Sequence, residues 1–175
     1  MVSSPASMKG CSVDDPKRLL VLKALTAQVA SVSVASGYQH DLAGKVWRGR
    51  STFSDSEPLP AVSILEALPG DAPAVTSRAN SAVQLERWVL LVQGWAVDDL
   101  LNPTDPAHRL MADVKKALGQ VAQPASTAYL LGGLIQRIEV DPGVVRPSDA
   151  VSSRAYFFLR VTLDITERVF APYSV

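Results

Sequence analysis

Two long segments in which apolar and polar residues alternate are the strongest constraint on how this chain can fold. In residues 155–169 every second residue is apolar from Ala155 to Ile165, and the residues between them are mostly polar or aromatic. Successive side chains of a strand point to opposite faces of a sheet, so this segment predicts a strand with one dry and one wet face. Residues 82–97 alternate at first and then become apolar on both sides. They predict a strand that is central in a sheet or covered by a neighbour.

Shorter segments add further strands to this pair. Residues 46–50 and 61–68 are typical of short strands, and residues 134–140 alternate in a way that matches 155–169. The connection that follows, residues 141–149, is too long for a tight turn, so we expect a projecting loop there.

Two segments have the periodicity of amphipathic helices. A helix over about 16–33 follows Asp15 as N-cap, with Pro16 at its first position. A second helix begins with Asp105 as N-cap, and Gly119 is a plausible stop. Its polar residues are expected to face away from the core: His108, Arg109, Asp113, Lys115 and Lys116.

The order of these elements predicts an α+β fold. We expect a mainly antiparallel or mixed β-sheet with two helices packed on one face, and with projecting loops. Residues 1–14 are small and polar without periodicity and are interpreted as an N-terminal arm, which leaves 15–175 as a single domain. A chain of 175 residues of which 47% are hydrophobic is large enough to bury a core of its own.

The balance of positive and negative charges indicates which kinds of molecule the protein could bind. The 17 basic and 17 acidic residues cancel, which argues against a protein that grips nucleic acid. Residues 1–50 carry seven basic and three acidic groups, net +4, whereas 51–114 carry three and nine, net −6. Opposed patches would suit copies that meet head to tail, unless the segments interleave in the fold and the patches average out.

No pattern in the sequence predicts catalytic, metal-binding or cofactor-binding residues, and we expect a protein that is not an enzyme. The histidines His40 and His108 lack a nucleophile motif or a metal-ligand spacing and are interpreted as surface residues. Asp98 and Asp99 are interpreted as a solvated turn. The single cysteine, Cys11, excludes an intramolecular disulfide and a cysteine-based zinc site. No apolar run approaches the roughly 20 residues that cross a bilayer, so we expect an intracellular protein without a membrane anchor.

One short motif leaves a binding role open. Trp47, Arg48 and Arg50 interleave an aromatic residue with two guanidiniums, a combination that can stack on bases and pair with phosphates. The same two arginines would equally suit a salt bridge to a neighbouring subunit.

Several segments together resemble the tail terminator, or tail completion, proteins of long-tailed bacteriophages. They are residues 41–50 (DLAGKVWRGR), Phe53, residues 58–66 (PLPAVSILE), residues 92–95 (VQGW), and residues 102–108 with 110–113 (NPTDPAH and LMAD). The preceding helix and the closing strand pair agree in order with that family, so the resemblance covers roughly residues 16–170 and leaves the arm unmatched.

The resemblance implies a virion structural protein. Such proteins form a ring, typically a hexamer, on the head-proximal end of the tail tube, where they stop tube polymerisation and provide the surface for joining the head or neck. The implied partners are further copies of itself, the tail tube protein and neck, head-completion or connector proteins, with DNA passing through the lumen without specific binding. The implied location is the virion tail, after assembly in the host cytoplasm.

Two groups of residues are candidates for the contacts of such a ring. The first group is expected at a subunit or tube interface and comprises Arg48, Arg50, Phe53, Pro58, Pro60, Asp98, Asp99 and His108. The second group mixes charge signs on a wet strand face, as a non-adhesive lumen lining or a plain solvent face would, and comprises Arg137, Glu139, Arg160, Asp164 and Arg168. Two alternatives stay open: a head–tail connector or neck adaptor, and a small nucleic-acid-binding module that uses Trp47, Arg48 and Arg50.

Overall fold

A mixed β-sheet and two long helices make up most of the structure, a computed structural model that describes residues 14–54, 56–66, 82–150 and 152–173. The six strands are β1 Val46–Arg48, β2 Ala61–Glu66, β3 Val83–Trp95, β4 Arg137–Val140, β5 Val144–Arg146 and β6 Tyr156–Arg168. The helices are α1 Lys17–Ala30, α2 Asp105–Ala122 and the four-residue α3 Leu130–Gly133, with a 3₁₀ turn at Val34–Ser36. The predicted α+β class is confirmed. Nearly all of the predicted arm, residues 1–13, lies outside the described residues.

The long strands β3 and β6 form the centre of the sheet. They pair antiparallel over thirteen residues each, from Val83 opposite Arg168 to Trp95 opposite Tyr156. The strand order is β1-β2-β3-β6-β4, with β5 pairing along β6 beyond β4. Among the strand pairs that the structure describes, only β1 and β2 are parallel. The central position predicted for 82–97 and the pairing of 134–140 with 155–169 are both confirmed.

Both long helices pack on the same face of the sheet. α1 buries Val21, Leu25 and Val29, and α2 buries a longer stripe that includes Leu110 and Val114. These side chains share one cluster with the inward residues of the central strands: Trp88, Leu90, Val92, Phe157, Leu159, Val161, Leu163 and Ile165. The opposite sheet face, named the open face below, carries the odd-numbered residues of β3 and the even-numbered residues of β6.

The helix boundaries correct three predictions. In α1 the cap is Pro16 rather than Asp15, and the helix ends at Ala30 rather than near residue 33. Gly119 does not end α2, which continues to Ala122 and stops where Gln123 becomes extended ahead of Pro124. A proline disfavours helical backbone in the residue before it, and this signal overrides one glycine in a helix interior. Asp105 is the first helical residue rather than the cap, which is Thr104.

The predicted projecting loop at 141–149 is also wrong for its first half. Val144–Arg146 forms β5, which pairs with the same strand as β4. The register runs from Val140 opposite Val161 to Val144 opposite Phe158, so three residues face two and form a β-bulge. Gly143 in this bulge has φ +78°, and a Cβ there would lie 2.8 Å from Met111 Sδ. The bulge therefore depends on a glycine that packs directly against α2.

Within the described ranges, no helix is long and apolar enough to span a membrane.

A glycine in the centre of the sheet gives a test of this packing. A Cβ on Gly94 would lie 2.2 Å from Cε1 of Phe157, which is fully buried across the strand pair and cannot move aside. We expect Gly94→Ala to lower the free energy of unfolding by about 1–3 kcal/mol through overpacking, measured by urea denaturation. Gly119→Ala is the matched control, because a Cβ there meets nothing within 4 Å. It should raise stability by about 0.5–1 kcal/mol, as expected in a helix interior. Equal stability of Gly94→Ala and the parent would contradict the packing described here.

Candidate functional site

The five residues proposed as a lumen lining all lie on the open face of the sheet. Arg137 and Glu139 come from β4 and are opposite Asp164 and Thr162 of β6, while Arg160 and Arg168 lie on the same side of β6. The alternation in the sequence therefore predicted correctly that these five side chains share one face of the sheet. The structure contains no neighbouring copy, so their place in a lumen stays a prediction.

Most of the charge on this face is paired within the subunit. Arg87 forms an ion pair with Glu139 and lies 4.0 Å from Asp164, and Arg137 also pairs with Glu139. Half-exposed pairs of this kind contribute little stability, on the order of 0–1 kcal/mol. Their consequence is electrostatic, because carboxylates neutralise the guanidiniums locally. Arg160 and Arg168 differ, since their exposed side chains form no ion pair with any residue that the structure describes.

Four of the proposed interface residues, Arg50, Phe53, Pro58 and Pro60, lie in the connection between β1 and β2, residues 49–60, named the crossover loop. Parallel strands need a connection that returns along the sheet, and the helices occupy the other face. The loop therefore crosses the open face, where the Phe53 ring lies 4.3 Å from Trp95 and 5.2 Å from Trp47 between centroids.

Arg50 holds the crossover loop to its own subunit. Its guanidinium lies 4.5 Å from the centre of the Phe53 ring and 5.4 Å from that of Trp47, and it forms an ion pair with Glu57. Of the three residues considered for nucleic-acid binding, Trp47 and Arg50 are therefore engaged with each other within the chain. Arg48 is exposed at the end of β1, and Pro58 is exposed in the loop.

The remaining three proposed interface residues lie at or next to the connection between β3 and α2. Asp98 Oδ1 accepts a hydrogen bond from the backbone N–H of Ala155 at 3.0 Å, and Oδ2 lies 3.6 Å from Arg154. Asp99 Oδ1 accepts hydrogen bonds from the N–H groups of Leu101 and Asn102 at 2.8 and 2.9 Å. These backbone hydrogen bonds lower the pKa of Asp99 below its ordinary value. His108 is exposed in the first turn of α2.

The turn that contains the two aspartates exposes a small group of apolar side chains. Leu100 is 98% exposed and Leu101 is 89% exposed, and Val97 beside them is also exposed. These three residues are named the leucine tip. Sequence reasoning selected the aspartates and missed the leucines, although an adjacent Leu pair inside a turn of Asp, Asn and Pro is an unusual composition. Clustered exposed apolar residues mark sites of protein contact.

The reading of His40 as an ordinary surface residue and the outward orientation of Asp113 are corrected by the structure. Asp113 is only 6% exposed. Its Oδ2 accepts hydrogen bonds from the backbone N–H groups of Gln39 and His40 and lies 2.8 Å from Nδ1 of His40. The physical reason is helical spacing, since Asp113 lies between Leu110 and Val114 on the buried side of α2. The pair anchors the loop before β1 to α2.

Two clefts open on the open face. One of about 280 Å³ lies between the crossover loop and residues 152–154, with Phe53, Gln93 and Tyr156 among its walls. The other, of about 370 Å³, lies at the bulge and is lined mainly by apolar groups, with Arg160 at its side. Among the described residues, no group of three or more His, Cys, Asp or Glu side chains is arranged to hold a metal ion.

Comparison of the sequence with known protein families and with curated proteins finds no match.

The buried carboxylate gives a stability prediction. Asp113→Ala leaves three buried or half-buried donors without their acceptor, and we expect a loss of about 3 kcal/mol in the free energy of unfolding. Asp105→Ala on the same helix removes an exposed carboxylate 3.6 Å from Arg109 and should cost less than about 1 kcal/mol. Urea denaturation measures both, and similar losses in the two variants would argue against a special role of Asp113.

The turn at Asp99 gives a pH prediction. Because its pKa is lower in the folded than in the unfolded chain, its contribution to stability is present above the unfolded pKa of about 3.9 and is lost as the pH falls through the folded pKa. We expect a carboxyl NMR titration of Asp99 to show a lower midpoint in the folded protein than in urea. Coincident midpoints would mean that the turn hydrogen bonds do not stabilise the ionised form.

Proposed function

We propose that this protein is a virion structural protein that forms a ring on the head-proximal end of a phage tail tube, stops tube polymerisation and provides the surface for joining the neck. The resemblance to tail terminators is the origin of the proposal. The observation that carries it is that the segments of the resemblance, distant in sequence, form one contiguous part of the molecule.

Three contacts join these segments. Ala61 pairs with Trp95 in the sheet, Phe53 packs on the same tryptophan, and Asp113 binds the backbone just ahead of the first segment, at His40. The leucine tip projects from the same end, between the segments that finish β3 and begin α2. A projecting apolar surface built on a rigid sheet end favours contact with another protein.

The open face supports passage of DNA without tight binding. Nucleic-acid affinity comes mainly from cations that neutralise phosphates. On this face Arg87 and Arg137 already pair with carboxylates, which limits the uncompensated positive charge to Arg160 and Arg168 among the described residues of these strands. The engagement of Arg50 with Glu57 and Phe53 likewise disfavours a nucleic-acid-binding module.

A reconstitution with tail tube protein tests the proposal. We expect light scattering to show a closed oligomer, and electron microscopy to show tubes that stop growing and carry a ring at one end only. Binding to portal or connector proteins without any effect on tube length would instead favour the neck adaptor. A persistent monomer that shifts short DNA at physiological salt would contradict the ring altogether.

A further inference from the structure

We propose that the leucine tip of one copy inserts into the cleft at the bulge on the next copy, and that this contact is the seam between subunits. The cleft, named the bulge cleft, is lined by the apolar residues Leu91, Pro142, Gly143, Val144, Phe158 and Leu159 and by the charged residues Asp141 and Arg160. The inference rests on the proposed function in that it assumes a ring of identical subunits.

The tip is already ordered for insertion. Single exposed leucines are common on protein surfaces, but Leu100 and Leu101 are adjacent and almost fully exposed. The backbone N–H groups of Leu101 and Asn102 donate hydrogen bonds to Asp99 and hold the turn that carries the two leucines. Asp98 accepts a hydrogen bond from Ala155, just before β6, and so attaches the connection to the sheet. A contact loop that is ordered before binding loses less conformational entropy on association, which strengthens binding.

The bulge cleft offers a matching surface. Val144 is half exposed and lies opposite Phe158 in the strand pair, so both side chains point to the open face. The cleft of about 370 Å³ has room for branched aliphatic side chains. The bulge at Gly143 forms the base of the cleft and packs against Met111 of α2.

Charge complements the apolar contact. Asp99 is ionised at neutral pH, as an aspartate ordinarily is, and Arg109 is the nearby cation of its own chain. Only its Oδ1 accepts hydrogen bonds within the described part of the chain. Arg160 beside the cleft is exposed and forms no ion pair with the described residues. A carboxylate beside the leucines and a guanidinium beside the cleft can meet across the seam, which fixes its register.

The two patches lie apart on one subunit, as a head-to-tail seam requires. Asp98 binds at Ala155, whereas the cleft is first reached three residues further along the chain, at Phe158, about 10 Å away at the rise of a strand. A contact between different patches is heterologous and leaves a free tip and a free cleft after each addition, so it can close into a ring.

The test combines two variants of exposed residues. Leu100→Ser/Leu101→Ser removes the tip, and Val144→Arg fills the cleft. We expect each variant alone to be monomeric in light scattering and the parent to form a closed oligomer. An equimolar mixture should give a 1:1 dimer and nothing larger, because one variant retains the cleft and the other retains the tip. Val34→Ser, at another exposed apolar residue, is the control and should assemble like the parent.

A double-mutant cycle tests the charge contact. Asp99→Asn keeps the oxygen that accepts the turn hydrogen bonds and removes the charge, and Arg160→Gln removes its partner. Each should weaken association by about fivefold to tenfold, and the double variant should be no weaker than either single one.

The outcomes separate this inference from the proposed function. If Val144→Arg still forms the parent's oligomer, or if either variant pairs with itself, the tip-in-cleft seam is wrong. A parent protein that stays monomeric overturns the seam as well. In all these cases, arrest of tail tubes by the same preparation would leave the proposed function standing. Failure to arrest tubes, with the seam intact, would overturn the proposed function alone.

Discussion

The pairing of β3 with β6 is the contact on which the rest of the structure depends. Each strand contributes thirteen residues, the long helices pack on the pair, and the other strands extend it at its edges. The close approach of Phe157 to Gly94 fixes the register, because a shift by one residue would bring a side chain under the phenyl ring and turn the apolar residues to the wrong face. The alternation in β6 then places its apolar side chains on one face of the sheet. The helices α1 and α2 cover that face.

The two ends of this sheet differ in what they present. At the end where β3 finishes, the crossover loop and the connection to α2 meet, and they combine an aromatic cluster with the exposed leucine tip. Further along the open face, ion pairs dominate. The first surface is suited to binding protein, and on the second the carboxylates neutralise part of the positive charge.

Sequence periodicity was sufficient for the long elements, and it failed where a contact from elsewhere decides the structure. Strands β3 and β6 and the face that holds Arg137, Glu139 and Asp164 followed from alternation alone. Strand β5 did not follow from alternation. The residues before it, Asp141-Pro142-Gly143, have the composition of a loop and become a bulge only through their packing on α2. Asp113 was expected to face solvent because it is charged, yet backbone donors of the loop at residues 39 and 40 stabilise it in the interior. The leucine tip needed the exposure of Leu100 and Leu101, which no pattern in the chain specifies.

The bulge at residues 141–143 has a consequence for behaviour at high concentration. A straight, unpaired strand at a sheet border is a template on which other chains can add by backbone hydrogen bonding. Here the border formed by β4 and β5 is interrupted by the bulge, and the opposite border, β1, is only three residues long. Neither of these two borders offers a continuous run for strand addition, so each is a poor template for the backbone of another chain.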